Sequence, residues 1–163
     1  MPEITWFGWF HTATGFFALL AGFYTLARFK VIRAEQSTGK IYLILTLIAA
    51  ASALGIYKHG GFGVGHGLAV LTILAVLVGG VVEKTKCFGK LSRYIQAGLY
   101  SATLLFHMIP AITDGLMRLP TDSPIVTDLA DPLLRGFYLA FLIAYVAGLG
   151  LQVMWLRKNI EPE

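Results

Sequence analysis

The chain has 163 residues, 56% of them hydrophobic and only 13% charged, with a formal net charge of +4 and one cysteine. Soluble domains are nearer a quarter charged, so an ordinary water-soluble domain is excluded, as are a secreted disulfide scaffold, a nucleic-acid-binding module and a disordered tail. The apolar residues fall in five blocks instead, each about the 17–25 residues that a helix needs to cross a ~30 Å hydrocarbon core.

These blocks predict an all-α fold, an integral membrane helical bundle forming one domain over residues 1–163. Its five transmembrane spans are expected at about 4–28, 40–58, 62–83, 91–114 and 132–157. Basic residues set the orientation. Arg28, Lys30, Arg33 and Lys40 lie between spans one and two, Lys84, Lys86, Lys90 and Arg93 between spans three and four, and Arg157 and Lys158 after span five. Lys58, Arg118 and Arg135 lie in the opposite loops with Asp114, Asp122, Asp128 and Asp131. Such a bias marks the cytoplasmic side, so the N-terminus is expected outside and the C-terminus in the cytoplasm. Cys87 then sits in a cytoplasmic loop, where thiols stay reduced, and reads as a bystander. No basic residues precede the first apolar run, which is too long for a signal-peptide core, so it is expected to remain as span one.

In span one, Gly8, His11, Gly15, Ala18 and Gly22 recur at alternating spacings of three and four. Small residues on one stripe allow close helix approach in lipid, which serves intrachain packing and a homo-oligomer equally well, and turns His11 toward protein. Ser37 or Thr38 is the expected N-cap of span two. The turn from His59 to Gly67 is rich in glycine but lacks the features of a phosphate-cradling loop. In span four, Gln96, Tyr100, Thr103, His107 and Asp114 share one helical face. Pro110 predicts a kink there. Asp131-Pro132 reads as an N-cap followed by proline at the first helical position, and Tyr138, Tyr145 and Gln152 form a polar heptad on span five.

The topology brings all four histidines toward one side. His11 lies seven residues in from Ile4 and His107 seven before Asp114, each roughly 10 Å deep at 1.5 Å per residue. His66 is nearer the surface and His59 lies in the turn. Ionisable groups inside a bilayer are costly and point to function, although a neutral histidine bonded to a neighbouring helix also accounts for each one taken singly. Two neutral imidazoles from opposed helices can bind a haem iron axially. His11 and His107 would be the ligands, with His66 as an alternate ligand or propionate partner. Gly8 and Gly15 would make room for the ring.

With these residues, the chain resembles the b-type cytochromes of the bacterial inner membrane, whose bundles hold haem between histidines of different helices. It is also similar to small bacterial multi-pass proteins with a His-x-x-x-Gly first span, here His11 to Gly15. The resemblance implies one haem b in the outer leaflet and electron transfer with a quinone or a periplasmic redox protein. A second reading gathers His11, His66 and His107, with His59 or Asp114, around zinc, copper or iron. A third lines a proton or solute path with His107, Asp114, Tyr100, Thr103 and Gln96, and a fourth is a cofactor-free accessory subunit. The serines are isolated in the sequence, and no nucleophile–base pair is visible.

Overall fold

The structure is a computed structural model that describes residues 5–57 and 61–159. Ile4, Lys58 and His59, which figure in the expectations above, lie outside the described residues. The fold is all-helical, in chain order α1 (Trp6–Phe29), α2 (Ser37–Ala53), α3 (Val64–Thr85), α4 (Ser92–Arg118) and α5 (Pro132–Lys158), with a short 3-10 turn at Gly89–Leu91. Among the described residues there is no strand. Four of the helices are long and apolar enough to cross a membrane, and α2, at 17 residues, is a shorter apolar one. Large apolar side chains stay exposed along whole helix faces, such as Phe16, Phe17 and Leu20 on α1 and Leu142, Ile143 and Val146 on α5. Soluble monomers rarely expose such continuous apolar surface, and these faces fit contact with a lipid bilayer in a multi-pass membrane protein.

Local chemistry sets the helix ends. The Thr5 hydroxyl accepts the Gly8 N–H at 3.1 Å, and the Asp131 carboxylate accepts the Leu133 N–H at 2.8 Å ahead of Pro132 at the start of α5. At α2 the expected cap is displaced: Gln36 is the last non-helical residue and Ser37 is already helical. Gln36 closes the preceding turn with both ends, its side-chain oxygen accepting the Arg33 N–H at 3.2 Å and its own N–H donating to the Arg33 carbonyl at 3.3 Å. That turn leaves no loop residue for Ser37 or Thr38 to cap from. Helix α4 continues past Pro110 and ends at Arg118, four residues beyond the expected span. One lost donor costs less than breaking a helix where no water can satisfy the freed carbonyls.

Consecutive helices pack as neighbours, and α1 also touches α4. Two ends result: a basic end, where α1, α3 and α5 finish, and a histidine end, where they begin. The largest fully buried side chains are Tyr42 and Tyr100. Tyr42 sits against Gly22, where an added Cβ would come within 2.8 Å of its ring, and Tyr100 sits against Gly79, where the approach would be 2.5 Å. Ala18, Val76 and Leu104 complete this core. At the basic end the α1–α2 connection folds inward and buries Val31 and Ile32. Gln96 donates to the Ile32 carbonyl at 2.5 Å, and Glu83 accepts the Ala34 N–H at 3.0 and 3.2 Å and the Tyr100 hydroxyl at 2.9 Å.

Because real side chains do not tolerate a 2.5 Å approach, Gly79→Ala is expected to destabilise the bundle by about 1–3 kcal/mol. Gly136 on α5 has nothing near its Cβ position, so Gly136→Ala should be neutral or slightly stabilising. Thermal unfolding of the two variants in the same detergent distinguishes these outcomes.

Candidate functional site

Three of the four histidines fall within the described residues, all in the half of the bundle opposite the basic end. Their hydrogen bonds decide what each ring can do. His11, on the stripe shared with Gly8, Gly15, Ala18 and Gly22, faces α2: its Nδ1 lies 3.0 Å from the Ala49 carbonyl and 3.0 Å from the Ser52 hydroxyl. Ser52 directs its own proton to the same Ala49 carbonyl at 2.9 Å. Both oxygens therefore accept from His11, Nδ1 carries the hydrogen, and Nε2 bears the lone pair. Serine in this arrangement is an anchor for the imidazole and is not activated as a nucleophile.

On α4, His107 reaches the same tautomer by a local route. Its Nδ1 lies 2.9 Å from the carbonyl of Thr103, one turn back on the same helix. A carbonyl only accepts, so here too Nδ1 donates and Nε2 holds the lone pair. That Nε2 is buried and has no hydrogen-bond partner among the described residues. The ring rests on α1 at Gly15, where an added Cβ would stand 4.0 Å from His107 Cδ2. The His107 ring thus meets α1 at Gly15, one turn along that helix from His11. Four residues of rise make that offset roughly 6 Å.

His66 is different. The Gly63 N–H donates to its Nδ1 at 3.1 Å at the start of α3, so the neutral ring carries its hydrogen on Nε2. That atom is also buried, without a partner among the described residues. The Tyr57 and Phe62 rings pack on either side, with centroids 4.9 and 5.1 Å away. With this tautomer Nε2 is a donor, suited to an anionic oxygen and not to a metal.

The other expected residues are divided between site and scaffold. Thr103 bridges them: its hydroxyl donates to the Tyr100 carbonyl at 2.7 Å and pairs with the Tyr42 hydroxyl, while its carbonyl holds His107. Tyr100 belongs to the core and to Glu83, well away from the histidines. Asp114 lies one turn from Arg118, 3.8 Å from its guanidinium in a half-buried pair on the same helix. Gly8 gives its N–H to Thr5 and its carbonyl to the Thr12 hydroxyl at 2.9 Å, so its part is local helix structure. Among the described residues no three of His, Cys, Asp and Glu come together as a metal-binding group. The structure does not gather His11, His66 and His107 into one set.

Ser52 and Glu83 were not singled out from the sequence. Ser52 lacks a motif but stands three residues after Ala49, on the small face of α2. Glu83 is the last residue of the expected third span, a carboxylate placed where the helix still runs beside its neighbours.

The site fits an axial pair of imidazoles in one respect that any metal ligand requires: a second atom on each ring fixes its tautomer and leaves Nε2 basic. It also lies where packing is thin. No α4 residue beyond Leu104 is buried, and no described α1 residue before Thr14.

Nitrogen-15 spectra of histidine-labelled protein, recorded with the rings neutral, should show the Nδ1–H form for His11 and His107 and the Nε2–H form for His66. Assignment through His→Gln variants identifies each ring. No protein family, characterised protein or solved structure compared with this chain matches it.

Proposed function

We propose that the chain is a five-span protein of the bacterial inner membrane that carries one haem b for electron transfer. The N-terminus faces the periplasm, the C-terminus faces the cytoplasm, and His11 and His107 hold the iron in the outer leaflet. The observation that carries this reading is the pair of imidazoles on α1 and α4, each anchored through Nδ1 to a backbone carbonyl with Nε2 left as the basic atom. A haem iron would ask the protein for only one or two ligands, which His11 and His107 would supply. A non-haem ion asks for three or more, which the described residues do not assemble.

His11 and His107 would orient such a group, and Ser52 and Thr103 would hold the two rings in place from behind. His66 would offer its Nε2–H to a carboxylate. When bound, haem supplies one-electron redox chemistry, whose potential depends on axial ligands and burial. A quinone in the bilayer or a periplasmic redox protein would exchange the electron. Because His107 rests directly on Gly15, seating a flat ring between them requires α1 and α4 to part at the thinly packed end.

Orientation is supported by ten of the thirteen basic residues lying at one end. The helix α2, though only 17 residues long, meets the lower limit of about 17 for a span.

Detergent-purified protein is expected to show Soret and alpha bands that sharpen on dithionite reduction, at about one haem per chain. His11→Ala or His107→Ala should abolish retention, and His66→Ala should leave the ligand set intact. A colourless protein with stoichiometric zinc or copper would shift the reading to a non-haem centre, and a metal-free one to transport or an accessory role. Cys87 is exposed in the α3–α4 connection, so an impermeant maleimide should label it only after the membrane is opened. Labelling in intact spheroplasts would reverse the orientation.

A further inference from the structure

Helix α5 is held to the bundle chiefly through α4, which leaves a groove between α1 and α5 with α4 as its floor. Two adjoining cavities lie along it and share Leu26, Gly148 and Gln152. The one toward the basic end adds Lys30, Leu151 and Trp155. The other is almost wholly apolar and runs on to Leu105, Met108 and Phe141. From Phe141 to Trp155 is 14 residues along α5, roughly 21 Å at 1.5 Å per residue, about the reach of one extended fatty acyl chain.

Three features along this length fall in the order of the parts of a phospholipid. Lys30 ends α1 at the mouth of the groove, exposed, with one ammonium hydrogen given to the Ala27 carbonyl at 2.7 Å and the others available. Trp155 lines the mouth beside it, a side chain that favours the headgroup level. One turn deeper is Gln152, only 7% exposed. Its carboxamide oxygen accepts the Ser101 hydroxyl at 3.0 Å, and its NH2 has no partner among the described residues. A carboxamide left half-satisfied in hydrocarbon is costly, and an ester carbonyl lying just below the headgroup would satisfy it.

We propose that this groove is a binding site for an anionic phospholipid of the leaflet at the basic end. The phosphate pairs with Lys30, an ester carbonyl accepts from the Gln152 NH2, and one acyl chain lies along Leu104, Met108 and Phe141. The site depends on the chain lying in a membrane and not on the haem reading.

Trp155 supplies the probe, because Trp6 and Trp9 are at the other end of the bundle and can be replaced by phenylalanine. In vesicles of phosphatidylcholine with a minor fraction of brominated phosphatidylglycerol, Trp155 of the full chain should be quenched as if the anionic lipid were enriched about fivefold beside it, the effect of one lysine near the surface. Lys30→Asn, which suits the left-handed backbone there (φ 68°), should bring quenching down to that of random mixing, and Lys30→Arg should keep it. Gln152→Leu should weaken quenching by brominated phosphatidylglycerol, whereas Ser101→Ala, which removes only the hydroxyl bonded to the Gln152 oxygen, should leave it in place. Equal quenching by brominated phosphatidylcholine, or no response to Lys30→Asn, would overturn the proposal. So would quenching that falls as protein density rises, which would point to a second copy in the groove, or quenching relieved by a long-chain quinone, which would assign the groove to that molecule.

Discussion

Two tyrosine rings seated on glycines hold this bundle together. Lipid tails are as apolar as leucine, so helices in a membrane gain nothing from hiding apolar surface from them and must rely on close packing and hydrogen bonds. Tyr42 on α2 presses against Gly22 of α1, and Tyr100 on α4 presses against Gly79 of α3. The absence of a Cβ at each glycine lets a flat ring meet the helix backbone. The phenol groups then find partners, Tyr42 with Thr103 and Tyr100 with Glu83, as buried hydroxyls must. These two residues link α1 to α2, α2 to α4, and α3 to α4.

The same arrangement makes the two ends of the molecule unlike. At the basic end the α1–α2 connection is drawn inward, its backbone satisfied by Gln96 and Glu83, and burial extends to Val31 and Leu156. At the histidine end α4 has no buried residue past Leu104. On the proposed reading a ligand would enter between helices at the less buried end, since ligand-binding regions are drawn from the less stable parts of a fold. His11 and His107 stand at that end. The polar bonds of α4 run continuously between the two, with Thr103 in contact with the core through its hydroxyl and with His107 through its carbonyl.

The chemistry of the histidines is written by whichever backbone group they meet. A carbonyl can only accept and an amide N–H can only donate. Ala49 and Thr103 therefore place the hydrogen on Nδ1 of His11 and His107, while Gly63 draws it off Nδ1 of His66. Three imidazoles of one sequence thus divide into two with a basic Nε2 and one with a donor there. On the proposed reading, that division would give metal ligation to His11 and His107 and anion recognition to His66.

Much of this was legible in the chain itself. Block lengths and charge scarcity determine an all-helical apolar fold, because a backbone in hydrocarbon must satisfy its own hydrogen bonds. The 3/4 spacing of Gly8, His11, Gly15, Ala18 and Gly22 determines which side of α1 faces protein, and Asp131-Pro132 determines where α5 begins. Helical periodicity also sets Tyr100, Thr103 and His107 on one face of α4. It is silent on partners across helices, which depend on the relative slide of two rods and not on spacing within either. Only the tertiary structure therefore decided that Ser52 stands behind His11, that the His107 ring rests on Gly15, that Glu83 belongs to Tyr100, and that His66 keeps to its own helix end. Slide is set by which rings find which glycines, a matching of shapes between residues tens of positions apart.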